Sequence, residues 1–265
     1  GSHGDIMNRW FHAGVWIASS LLLSGCAGMS ANHHNRLGLQ AFEQQKYLNA
    51  CLEFQQSVDR NPSRADSRLM LGWSQYHLSR TESALALFQS VSILKGLHKA
   101  QYADAFEGMA RCWYRLGDPI RAYETMISCE KLQRLSADQE RLAGWAAFAA
   151  DRKADAISHF TRASTMRTAD AEAQYGLALC ALSEGRHEDA IRHASRSIRW
   201  DASSAGSYIV RAEASLALNR IEDAIRDFNS ALDRDPGSAI ARDGLARATG
   251  VATPRSTSDR IESPH

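Results

Sequence analysis

Five cysteines, ten histidines and thirty acidic residues are the groups in this chain able to hold a metal, attack a carbon or move a proton. Their spacing supports little of that chemistry. Cys26, Cys51, Cys112, Cys129 and Cys180 form no C-x-x-C pair, and their intervals suit no zinc site. No H-E-x-x-H, G-x-S-x-G or G-x-x-x-x-G-K-[ST] pattern occurs. The histidines are scattered: His33 and His34 read as a solvated pair, His187 lies in a turn and His193 on a helix. Glu188–Asp189 and Glu222–Asp223 fall at predicted helix starts, where negative charge suits the helix dipole. These groups predict no catalytic residue, no metal and no cofactor, and the protein is not expected to be an enzyme.

Cys26 sits differently, at the end of the stretch SLLLSGC. The first six residues, GSHGDI, read as an expression scar, which makes Met7 the natural start. Arg9, the apolar run Ala13 to Leu23 and the small residues Ser24 and Gly25 have the layout of a secretory signal peptide over 7–25. The eleven apolar residues would span only ~16 Å as a helix, against ~30 Å for a bilayer core. Leu23, Ser24, Gly25 and Cys26 resemble the bacterial lipoprotein signal, Leu–small–small–Cys. The resemblance implies cleavage before Cys26, lipid attachment to it, and a short tether over 26–30. Ala27 and Gly28, with no Asp among them, imply the outer membrane, periplasmic side. The alternative is an uncleaved signal with an incidental cysteine.

The remaining chain has ordinary globular composition: 44% hydrophobic, 23% charged, net charge +1. Nothing in that balance points to nucleic acid or to a polybasic membrane patch. An oxidising compartment would permit disulfides. The four later cysteines nevertheless fall inside predicted helices, where they read as buried free thiols behaving as small apolar residues.

The elements that carry these residues repeat. Six segments align on Ala50, Ala84, Ala122, Ala156, Ala190 and Ala224, at intervals of 34, 38, 34, 34 and 34 residues. Four residues later come Phe54, Phe88, Met126, Phe160, Ala194 and Phe228. Three further on come the slim side chains Ser57, Val91, Cys129, Ala163, Ser197 and Ala231. Twelve residues before each alanine stand Gly38, Gly72, Ala110, Gly144, Ala178 and Ala212. Offsets of 3, 4 and 7 share one helical face, so each segment predicts two helices meeting where both side chains are small. Gly117, Gly185 and Asn219 stand where a left-handed residue would end the first helix, and Pro62 and Pro236 close the first and last segments.

These residues resemble the tetratricopeptide repeat family, whose 34-residue pattern runs W-x2-L-G-x2-Y, A-x3-F, P. The last segment fits best, with Tyr208, Ala212, Ala224, Phe228, Ala231 and Pro236; the third and fifth are degenerate. The resemblance implies an all-α protein, a right-handed α-solenoid of six helix pairs over 31–250. Its repeats are 31–64, 65–98, 103–136, 137–170, 171–204 and 205–238. The four extra residues near KAQY, between the second and third repeats, predict an added helical turn or a longer loop. A capping helix over 239–249 is expected to turn Ile240, Leu245 and Ala248 inward, and 251–265 reads as a disordered tail.

By the same resemblance the first helices line a concave groove. Its candidate partner-binding residues are Trp73, Tyr76, His77, Arg111, Tyr114, Arg115, Arg141, Trp145 and Phe148, with Tyr175, Leu179 and Leu182 in the fifth repeat. Aromatics mixed with arginines suit protein recognition, with Trp73 and Trp145 as the exposed anchors. The other reading packs these aromatics against neighbouring first helices. Leu69 and Trp73 occupy positions where some relatives carry a Lys–Asn carboxylate clamp, so that mode is absent. The expected function is a non-catalytic scaffold docking envelope proteins, as in pilus or secretion assembly or cell-wall machinery. Regulation of peptidoglycan hydrolases and self-assembly through the C-terminal cap are the alternatives.

Overall fold

The computed structural model describes residues 30–250, which form thirteen α-helices and no strand. The predicted signal peptide, Cys26 and the 251–265 tail lie outside the described residues. Successive helices pair: α1 (Ala31–Glu43) with α2 (Tyr47–Arg60), α3 (Ala65–His77) with α4 (Thr81–Ser92), and α5 (Lys99–Arg115) with α6 (Pro119–Glu130). Then come α7 (Ala137–Ala149) with α8 (Lys153–Met166), α9 (Ala171–Ser183) with α10 (His187–Trp200), α11 (Ala205–Ala217) with α12 (Ile221–Arg234), and a lone α13 (Ala239–Thr249). The chain divides into two compact units, one ending at Asp138 and the other beginning at Gln139.

The helix ends follow from local chemistry. Ser30, Asp118, Asp170, Ser204 and Ser238 each cap a helix start by accepting a hydrogen bond from a backbone N–H three residues on. Every turn inside a pair has the same exit. Gln45, Ser79, Gly117, Asp151, Gly185 and Asn219 all take φ between 58° and 79°. The next N–H then reaches back five residues, as from Lys46 to the Ala41 carbonyl at 2.9 Å and from Arg220 to the Ser215 carbonyl at 2.8 Å. The four extra residues of the second-to-third interval become helix: α5 has 17 residues where the other first helices have 13. Gln101 secures that added turn, donating from Nε2 to Asp66 at 2.7 Å and closing a capping box with His98.

The core is made at the small-residue phases. The six aligned alanines are fully buried, as are Phe54, Phe88, Phe160, Phe228, Met126 and Ala194. The phenylalanine rings lie where no Cβ fits. A Cβ at Gly72 would stand 2.8 Å from Phe88, and one at Gly144 would stand 2.7 Å from Phe160. The following helix closes from the other side, where a Cβ at Gly108 or Gly176 would stand 2.5 Å from the same two rings. Phe228 is enclosed likewise, with Gly244 of α13 against it. The third phase adds a polar tie. Ser57 donates to the Ala31 carbonyl and Ser197 to the Ala171 carbonyl, both at 2.8 Å, while Cys129 stands 3.5 Å from the Ala103 carbonyl.

Within each unit, consecutive first helices also touch, α1 with α3 and α3 with α5, then α9 with α11 and α11 with α13. Each of the intervening second helices packs between two first helices: α2 between α1 and α3, α4 between α3 and α5, α10 between α9 and α11, and α12 between α11 and α13. The terminal helix differs from expectation. Ala241, Gly244 and Ala248 are buried and Leu245 packs against the core, but Ile240 is 64% exposed. The close approach of Gly244 to Phe228 fixes the rotation of α13, and one residue is 100° of that rotation, enough to swing Ile240 outward.

Candidate protein-binding surfaces

In the first unit, the first-helix residues expected to face a partner form an aromatic ladder. Trp73 does not serve as an exposed anchor: it is 2% exposed, edge-on to Phe88 at 5.0 Å and to Tyr76 at 5.9 Å. The packing reading holds for this residue, because the bulk beside Gly72 and Phe88 belongs to the core. Tyr76 and His77 are half-buried. The His77 ring stacks on Tyr47 at 4.5 Å and meets Phe42 edge-on. Arg115 covers Tyr76, its guanidinium 3.6 Å above the ring and its Nη1 donating to the Tyr76 carbonyl at 2.8 Å. Arg111 is held by Glu107 at 3.0 Å along α5. Tyr114 and Leu116 are both exposed.

In the second unit, Trp145 is half-buried, between Phe160 at 4.9 Å and Tyr175 at 5.7 Å. Its indole N–H donates to Glu172 at 2.8 Å. Arg141 donates to both carboxylate oxygens of Asp170 at 3.2 Å and lies 3.4 Å from Glu172. Asp170 is buried and at the same time caps α9 through the Ala173 N–H at 2.9 Å. One carboxylate therefore starts a helix and fixes a guanidinium. Phe148, Leu179 and Leu182 are half-buried on the same first-helix set, and Leu179 and Leu182 pack over Ala178, Ala181 and Val210.

The sequence reading missed Asp170 and Glu172, which orient Arg141 and Trp145. An Asp placed just before Ala-Glu-Ala is a helix-cap signal, and it was available. The interhelical pairs nineteen residues apart also went unread: His159 donates to Glu140 at 2.7 Å, His193 pairs with Gln174 at 2.8 Å, and His34, expected to be solvated, is instead buried and donates to Glu53 at 2.7 Å. Cys51, Cys112, Cys129 and Cys180 are buried free thiols. Burial pushes Cys112 up to about 12 and Cys180 up to about 11, so neither forms a thiolate at neutral pH. Among the described residues no helix is long and apolar enough to cross a membrane.

Two family models match parts of the chain. Residues 35–92 match the tetratricopeptide repeat, and residues 149–231 match the anaphase-promoting complex, cyclosome, subunit 3. No curated protein matches in sequence. Among solved structures, the Cut9–Hcn1 hetero-tetramer of the anaphase-promoting complex aligns with TM-score 0.68 at 18% identity. That alignment covers 83% of this chain but only 42% of the other. PilW, a widely conserved type IV pilus biogenesis factor, aligns with TM-score 0.67 at 14% identity, covering 83% of this chain and all of PilW. YrrB, a tetratricopeptide repeat protein with an unusual peptide-binding site, aligns with TM-score 0.61 at 17% identity over 72% of this chain and 96% of YrrB. At these identities the likeness is one of fold: stacked tetratricopeptide-type helix pairs.

Proposed function

We propose that the chain is a non-catalytic scaffold of six tetratricopeptide repeats that docks other envelope proteins on its first-helix surfaces. In this reading, lipid on Cys26 holds it at the periplasmic side of the outer membrane. The observation that carries the scaffold reading is the first-helix side of the second unit. There Phe148, Leu179 and Leu182 keep part of their apolar surface open on the two helices that carry Arg141 and Glu172 nearer their starts. A rigid apolar strip with oriented polar groups at one end is what a peptide segment needs to bind in one register. PilW and YrrB share the fold, and their roles make pilus or secretion assembly and peptide capture the first systems to try. Cell-wall machinery and its hydrolases come next.

In-cell crosslinking of full-length protein tests the surface. The pair Phe148→Ser and Leu182→Ser is expected to lose an envelope partner that wild type captures, with circular dichroism unchanged. Undiminished capture of every partner by the folded double variant would overturn the assignment. The anchor has its own test. Cys26→Ser is expected to move the exported protein from the membrane to the soluble fraction, and the intact mass of wild type is expected to begin at an acylated Cys26.

A further inference from the structure

The first-helix side of the second unit carries a charge imbalance as well as an apolar strip. Steps of 34 residues link corresponding positions of α7, α9, α11 and α13. One such row is Trp145, Leu179, Glu213 and Arg247, and the next is Phe148, Leu182 and Leu216. Side-chain contacts join these helices in space. Trp145 meets Tyr175 and Glu172 of α9, the Tyr175 hydroxyl lies against Gly206 of α11, and Arg247 of α13 donates to Glu213 of α11. Leu179, Leu182 and Leu216 are all half-buried, so the apolar surface continues from α9 onto α11.

Two guanidinium groups on these helices are each shared by two carboxylates. Arg141 donates to both oxygens of buried Asp170 at 3.2 Å and lies 3.4 Å from Glu172. Arg247 donates to Glu213 and lies 3.2 Å from Asp243. Each cluster therefore keeps one carboxylate in excess. The open one is Glu172 in the first, its side chain 53% exposed, and Asp243 in the second, 59% exposed. The other cations of α7, α9, α11 and α13 do not offset this: Arg211 is paired with Asp227 of α12, and Arg242 turns back to the Gly237 carbonyl.

We propose that this side of the second unit binds a segment of a partner protein in which lysine or arginine stands among apolar residues. The apolar residues of the segment cover Leu179, Leu182 and Leu216. Its cationic head group meets Glu172 or Asp243, while the methylene stem lies along the apolar strip. An acidic segment would meet two carboxylates in excess, and like charges across an interface are rejected. A neutral apolar segment would take water from Glu172 and Asp243 and return no partner. This inference rests on the reading of the surface as a docking site and names the chemistry of what docks there.

Immobilised purified protein selects from a random peptide library displayed on phage, and the recovered peptides are then measured in solution by fluorescence anisotropy. They are expected to carry lysine or arginine among apolar residues. Glu172→Gln with Asp243→Asn, which keeps the hydrogen-bond acceptors for Trp145 and Arg247, is expected to bind them about tenfold more weakly. Glu222→Gln with Asp223→Asn removes the same charge from the start of α12 and is expected to leave their affinity unchanged. Acidic or neutral binders, undiminished binding by the first double variant, or equal losses in both would overturn the proposal. Phe148→Ser with Leu182→Ser distinguishes this from failure of the docking surface. Binders indifferent to that variant, or no binders at all, mean that the surface itself is wrong. Acidic or neutral binders lost in that variant leave the surface standing and refute only its charge preference.

Discussion

At the scale of single residues, the fold rests on where side chains are missing. Phe88 and Phe160 each fill a space bounded by two glycines on successive first helices, Gly72 with Gly108 and Gly144 with Gly176. Gly176→Ala would drive a methyl group into the fully buried Phe160 ring. It is expected to cost about 1–3 kcal/mol in urea unfolding, and a Phe160→Leu partner change should recover part of that loss. Glu140 makes a second residue-scale prediction. Burial tends to raise its carboxyl, but hydrogen bonds and charge from His159 and Arg162 more than offset this and hold it below its usual value. A carboxyl so depressed stabilises the fold above its unfolded value of about 4.3, and the contribution is lost as pH falls through the lower folded value. Glu140→Gln is therefore expected to lower the urea midpoint at neutral pH, with the gap to wild type narrowing in acid. An unchanged gap between pH 7 and pH 3 would count against this pairing.

At the scale of elements, helix starts and added turns decide where polar groups point. Asp170 caps α9 and grips Arg141 of α7 at once. Asp170→Ala is expected to cost about 2–4 kcal/mol, more than an ordinary cap, because it also removes a buried partner from a guanidinium. Asp170→Asn, which keeps an N-cap acceptor, should fall between the two when measured by thermal melts. The extra turn of α5 shows the same economy: four residues that break the 34-residue interval join the helix rather than the loop, held by Gln101 and Tyr102.

At the scale of the whole molecule, stability in a stack of helix pairs comes from neighbour contacts, so the ends matter. In the second unit α13 supplies the last cover, with Gly244 over Phe228 and Ala241 and Ala248 buried beside it. Truncation from Ser238 onward is expected to lower the melting temperature by roughly 2–4 °C for each kcal/mol of lost contact. Light scattering of the same pair of proteins tests self-association. Ile240, 64% exposed on α13, is the apolar side chain available to it, and equal monomer masses before and after truncation would rule it out.

Periodicity in the sequence determined the helix pairs, the buried alanines, the phenylalanine wedges and the thiol burial, because small and large side chains recur at spacings only two packed helices satisfy. Gly117, Gly185 and Asn219 likewise announced their left-handed turns. Asp151 is of a type that tolerates the same conformation, whereas Gln45 and Ser79 adopt it with residue types that give no notice of it, because the closing helix pair imposes it on them. Exposure was decided only in three dimensions. Trp73 and Trp145 hold matching sequence positions, yet Trp73 is buried while Trp145 stays half-open with its indole tied to Glu172. Ile240, expected inward, is turned outward by the rotation of a single helix, with Ala241 buried. A repeat pattern records which residues must be small for backbones to approach. How far a large side chain protrudes depends on what the neighbouring helix places over it, and a linear pattern carries no record of that.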